Sequence, residues 1–144
     1  MTSPYNKFNQ FVQDVAHQVH NLNVSEDELK VVLTNVLPVN TNSVLANITQ
    51  IPAGNGYSTG GIPTTITSSV QTSGIFKIKC ANVVFMADGG TIGPFRYTVL
   101  YNNTPVSPLA PLIAWWDYGA PLTLNDTETF SVAFDQANGA FTLT

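Results

Sequence analysis

Three features of the sequence predict a mainly β chain, an antiparallel sandwich or jelly-roll-like barrel with one N-terminal amphipathic helix. Charged residues make up only 10% of the 144 positions while hydrophobic residues make up 44%, against about 25% and about 45–50% in ordinary soluble domains. Thr, Asn, Ser and Gln take the place of charge, together with ten Gly and nine Pro, which is a strand-and-turn palette. About seven to nine short runs of β-branched and aromatic residues recur at intervals of roughly 10 to 15 residues, after a single segment of helical periodicity. The length fits one domain, large enough to bury a core without a disulfide or metal.

The helix comes first. Ser3 is a good N-cap and Pro4 suits the first helical position. Phe8, Phe11, Val12, Val15, Ala16 and Val19 then recur at spacings of three and four, which places one apolar stripe on the helix. Asn21 to Asn23 end it. Residues 1–22 are accordingly a docking or packing segment and residues 23–144 a single β domain; the stripe packs on that domain's sheet or on a neighbouring subunit.

After the acidic group Ser25-Glu26-Asp27-Glu28, Leu29 to Thr34 reads as a strand. Val44 to Ile51 is compatible with a strand or a short helical turn. Asn55-Gly56 and Gly60-Gly61 mark a loop, and Ile62 to Val70 alternates threonines with apolar residues. Gly74 to Met86 is the clearest strand, with Phe76, Ile78 and Cys80 on one side and Lys77 and Lys79 on the other, and a break near Asn82 where the alternation slips. Asp88-Gly89-Gly90 turns the chain into a strand from Phe95 to Tyr101. Pro105, Pro108 and Pro111 make 102–111 a surface loop, because proline lacks the amide donor of a paired strand. Leu112 to Tyr118 returns to the sheet, Gly119 to Pro121 turns, and Leu122 to Leu124 and Thr129 to Phe134 are further strands. Asn138-Gly139 is a tight-turn dipeptide, so residues 130–144 are expected to close as a hairpin.

Charge and motif exclude several functions. Five Lys and Arg against nine Asp and Glu, a net charge of −4, provide no basic face for a phosphate backbone, so nucleic acid is not an expected partner. No run approaches the roughly 18 apolar residues of a membrane span, and the first residues lack the basic and apolar regions of a secretion signal. His17 and His20 stand three apart but without two further ligands at a metal-site spacing. Cys80 sits in an apolar strand, where a thiol behaves as a small hydrophobe. Asp126, Glu128 and Asp135 fall at strand starts and turns, and Gly54-Asn55-Gly56 with Gly60-Gly61 lacks the Lys-Ser/Thr pair of a phosphate loop. No catalytic residue, cofactor or metal ligand is expected.

Two groups remain. Arg96, the only arginine, lies among aromatic strand residues, and Asp117 is its expected partner in a buried planar clamp between two strands. Trp115, Trp116 and Tyr118 form an aromatic cluster with Phe95, Tyr97 and Tyr101; ring stacking on a host carbohydrate is one use of it. Trp115 and Trp116 must point to opposite faces, one into the core and the other to an interface or under a loop. The expected interface side chains are Phe8, Phe11, Val12, Val15 and Val19 of the helix, with Trp115, Trp116 and Tyr118.

The segments Gly90-Thr91-Ile92-Gly93-Pro94-Phe95-Arg96-Tyr97, Leu100-Tyr101-Asn102, Leu112 to Gly119 and Thr127-Glu128-Thr129-Phe130 resemble small virion structural proteins of tailed bacteriophages, as do Tyr5-Asn6-Lys7-Phe8 and Leu29 to Pro38. The resemblance spans nearly the whole chain and carries no catalytic residues. It implies a particle component: a capsid decoration or cement protein, or else a tail, baseplate or fibre-associated adaptor. The implied partners are the major capsid protein or other virion proteins, with a homo-oligomer, a trimer first, assembled in the host cytoplasm and residing in the virion. Low charge is compatible with this on independent grounds, since subunits locked in a lattice meet through uncharged polar and aromatic contacts and avoid burying charge.

Overall fold

The computed structural model describes residues 5–143, so the expected cap Ser3 and first helical residue Pro4 lie outside the described residues. Among the described residues there are ten strands, most of them runs rich in β-branched and aromatic residues: β1 (Asn6–Lys7), β2 (Leu29–Thr34), β3 (Ile62–Thr64), β4 (Ile66–Thr72), β5 (Ile75–Cys80), β6 (Val83–Met86), β7 (Ile92–Asn102), β8 (Leu112–Leu124), β9 (Thr129–Val132) and β10 (Phe141–Leu143), with one α-helix, α1 (Asn9–Ala16). The chain is mainly β, and every strand pairing is antiparallel. One sheet runs β1-β8-β7-β2-β3; a second layer is made of β10-β5-β4 and the pair β6-β9.

The arrangement is sandwich-like because aromatic side chains of the two layers meet in one core. Phe95 of β7 packs edge-on against Phe130 of β9 at 5.0 Å, and Trp116 of β8 against Phe134 at 5.7 Å. Leu29, Val31 and Leu33 on one face of β2 join them with Ile78, Cys80, Phe85 and Phe141. Val32, Val99, Tyr101 and Leu112 point the other way, into a smaller cluster on the outer side of the first sheet. β2 and the C-terminal half of β7 are therefore apolar on both faces, as strands covered on both sides must be.

The N-terminal expectation needs correction. Phe8 is the N-cap in an extended conformation, and Asn6 and Lys7 pair with Trp115 and Ala114 of β8. The helix is only Asn9–Ala16, and Gln18 has φ +62. A longer helix would hold Phe8 and Phe11 on one stripe, but these rings enter different cores: Phe8 the outer cluster and Phe11 the main one, 5.6 Å from Phe141. Of the stripe, Val15 packs on the main core, while Val12 and Ala16 are exposed and Asp14 and His20 are buried instead. Residues 5–22 are thus built into the same folded unit as the rest, not appended to a separate β domain.

Further along, Val44 to Ile51 holds a 3-10 turn at Leu45–Asn47. The break near Asn82 separates β5 from β6, which belong to different sheets. Gly119 to Pro121 does not turn. β8 runs through it and still pairs with β7, because Gly93 (φ +115) and Gly119 (φ +105) let the two strands absorb their irregularity as register shifts. Nor do the described residues 130–143 close as a hairpin: β9 pairs with β6, and β10 with β5. Asp135 accepts bonds from the amides of Ala137 and Asn138, both 2.9 Å, and Gln136 Nε2 donates to the Cys80 carbonyl at 3.0 Å. The turn at Asn138-Gly139 therefore sits against the β5–β6 break, and its flanking strands continue along β6 and β5.

Candidate functional site

Residues 31–76 and 97–116 contain no Asp, Glu, Lys or Arg, and the fold gathers parts of both runs on one surface. Segment 35–50 and loop 103–111 lie side by side over the outer face of β2, β7 and β8. Leu112 N donates to Ser43 O at 3.0 Å and Leu45 N to Ala110 O at 2.8 Å, and Val44 bridges Pro111. Asn9 N donates to Asn40 O at 3.0 Å, which brings the start of α1 to the same surface. Leu45, Ile48 and Ala110 turn inward and fill the outer cluster with Phe8 and Tyr101.

Five other apolar side chains of these segments turn outward. Val36, Leu37 and Val39 are exposed on one segment; on the other, Val106 is 81% and Leu109 68% exposed. A bridge between Val106 and Leu109 and a bond from Ala110 N to Pro105 O hold these two at the tip of the loop. Val12 is 52% exposed on α1, whose first residue bonds to Asn40 of that surface. Large exposed apolar groups rimmed by uncharged polar residues mark an interaction surface. Of the expected interface side chains, Phe8, Phe11 and Trp116 are buried inside the chain, Val15, Val19 and Trp115 are half-buried, and Val12 and Tyr118 are exposed. Sequence reasoning missed Val36, Leu37, Val39, Val106 and Leu109. The charge-free runs that contain them were the available signal.

Arg96 and Asp117 meet: Nε donates to Oδ1 at 2.8 Å and Nη2 to Oδ2 at 3.1 Å, a bidentate fork. Tyr97 is the residue opposite Asp117 across β7 and β8, which brings Arg96 alongside. Both side chains are 36% exposed, so the clamp is half-exposed, not buried as expected. The hydrogen bond from Arg96 holds the Asp117 carboxyl below the usual carboxylate range, helped by the amide of Gly119 at 2.8 Å. The guanidinium lies 5.4 Å from the Tyr97 ring centre, and Tyr97 packs edge-on against Trp115. Trp115 packs on the outer cluster, whereas Tyr118 packs on Phe130 of the main core. The aromatic residues thus divide between the two faces of β8 and form no common stacking platform.

Two of the remaining carboxylates have structural partners. Asp126 Oδ1 accepts from Gly89 N at 2.8 Å and Glu128 Oε1 from Asn125 N at 2.6 Å. Burial pushes the Cys80 thiol up to about 12, which leaves no thiolate near neutral pH. His17 is exposed and His20 buried. Among the described residues no group of three or more His, Cys, Asp and Glu is placed to hold a metal ion, and no helix is long and apolar enough to cross a membrane. No protein-family model, no curated protein and no solved structure matches the chain.

Proposed function

We propose that this chain is a bacteriophage virion structural protein, a capsid decoration or cement protein that stabilises the shell through contacts between subunits. The observation that carries the reading is the uncharged surface of segment 35–50 and loop 103–111, from which Val36, Leu37, Val39, Val106 and Leu109 project. An uncharged surface can be covered without stranding a buried charge, and its apolar side chains supply the driving force. The resemblance of the strand segments to small phage virion proteins supports a phage particle as the place where this surface is covered. The partner is the major capsid protein, with copies of this chain grouped as trimers around local symmetry axes. The mechanism is thermodynamic: a protein that binds the assembled shell and not its free subunits adds its binding free energy to the shell's stability.

Docking through the N-terminal stripe is replaced in this proposal, because Phe8 and Phe11 are occupied inside the molecule. The test is to add purified protein to particles that lack it and image them. Copies are expected on the shell, and Val106→Asp with Leu109→Asp is expected to lower occupancy at least tenfold while the thermal midpoint stays within about 2 °C, since both side chains are solvent-facing. Copies on the tail would replace the reading with a tail-adaptor role. No binding to any virion component would end it.

A further inference from the structure

Residues 17–28 connect α1 to β2, and one buried histidine ties them to the end of β7. His20, 9% exposed, accepts at Nδ1 a hydrogen bond from Asn102 Nδ2 at 2.9 Å. Two other contacts fix the orientation of the Asn102 amide: Nδ2 also donates to Asp27 Oδ2 at 2.6 Å, and Oδ1 accepts from Thr104 N at 3.1 Å. Asp27 Oδ2 in turn accepts from Asn21 N at 2.8 Å. A donor at Asn102 Nδ2 requires a lone pair on His20 Nδ1, so the ring is neutral with its proton on Nε2. His20 Nε2 and Asp14 Oδ2 are both buried without a hydrogen-bond partner in the protein.

We propose that His20, Asn102 and Asp27 form an acid-opened latch: a proton taken up from solvent at His20 Nδ1 breaks the bond to Asn102 and releases residues 17–28 from the end of β7. Protonation sets two donors, Nδ1–H and the Asn102 amide, against each other. If the amide turned over, its oxygen would face the Asp27 carboxylate and its NH2 would face the Thr104 amide, so two favourable contacts would become repulsive. The closed latch therefore has no place for the second proton.

The groups around the ring are few. Asp14 faces it from α1 and Asp27 from the connecting loop, and both favour the charged ring. β7 contributes the neutral Asn102, and Phe11 packs edge-on at 5.1 Å. Phe76 of β5 and Leu143 of β10 share with His20 the lining of a cleft of about 460 Å³. Burial outweighs the two carboxylates and holds the imidazole below its ordinary 6.5. A folded state with a depressed histidine pKa binds fewer protons than the unfolded chain, so the latch's contribution is present above pH 6.5 and is lost as the pH falls below it.

The test is amide hydrogen exchange on the full chain at about pH 7.5 and about pH 5, expressed as protection so that the intrinsic pH dependence cancels, with ring 15N spectra of His20. Protection of residues 19–28 and 103–104 is expected to fall at least tenfold at the lower pH relative to the β7–β8 amides near Val99 and Ala114. The ring spectrum is expected to show the Nε2–H tautomer, titrating below 6.5. His20→Asn, which places an amide oxygen near the Nδ1 position and cannot titrate, is expected to abolish the pH dependence, and His17→Gln to leave it intact. Equal relative protection at both pH values, or a proton on Nδ1 at neutral pH, overturns the latch. If His20→Asn does not fold, the wild-type exchange and ring spectra decide.

Discussion

Phe8 and Phe11 stand three residues apart and fill different cores, so each is a structural side chain whose loss leaves a cavity. Phe11→Ala is expected to cost about 3–5 kcal/mol, read as a lower urea midpoint with an unchanged slope. Cys80, buried with its thiol pushed up to about 12, is expected to resist thiol reagents in the native protein and to react fully once denaturant is added; labelling at the native rate of a free thiol would contradict its placement. The Arg96–Asp117 pair was readable from sequence because a lone arginine in an aromatic strand needs a carboxylate across the ladder. What sequence could not show is that the pair reaches solvent. Asp117, held below the usual carboxylate range, stabilises the fold above its unfolded pKa and loses that contribution as the pH falls through its folded one. Asp117→Asn should therefore flatten the acid side of the stability profile, and high salt should shrink the difference.

At the scale of elements, the strands with unbroken β-branched or aromatic patterns were legible: Leu29–Thr34 is β2 to the residue, and the slip near Asn82 marks a real change of sheet. Two of the misreadings concern turn chemistry. Gly119 looks like a turn but is a bulge inside β8, and Asn138-Gly139 turns a chain whose flanking strands pair with other partners. Local signals report which backbone conformations a residue allows and not which strand lies beside it. At Gly61 the neighbour decides everything: a Cβ would stand 1.8 Å from the Val31 carbonyl oxygen, at φ +76. Gly61→Ala is expected to lower the thermal midpoint by at least about 10 °C or to prevent folding. The N-terminal segment is the other lesson. Its period suggested one long helix packed on the domain's own sheet or on a neighbouring subunit, yet β1 pairs with β8 and Phe11 completes the main core. Deleting residues 1–22 is expected to abolish cooperative unfolding and give aggregated protein; a truncated chain with an intact sharp transition would restore the two-part organisation.

For the whole molecule, the scarcity of charge becomes an asymmetry once the chain is folded. The lysines bracketing the first charge-free run, Lys30 and Lys77, and the pair Arg96 and Asp117 bracketing the second lie on strands, while the two loops over the outer cluster carry none. A contact made through that surface has no ionic component to screen. If the chain has the proposed virion role, its attachment to particles is therefore expected to change less than twofold between about 50 mM and 500 mM salt, measured by occupancy; a steep fall would place the contact on the acidic segment 26–28 instead.

By itself the sequence determined that this is a mainly β chain with one helix near its N-terminus, and it located most strands, because apolar alternation and proline act over a few residues and need no partner. Only the tertiary structure decided which apolar residues are interior and which are surface. Phe8, Phe11 and Val12 share one local pattern, and the choice among them depends on the sheet faces and loops that arrive from residues 29–143. Burial is a property of the assembled neighbours, so a stripe of side chains gives a direction without saying what stands there.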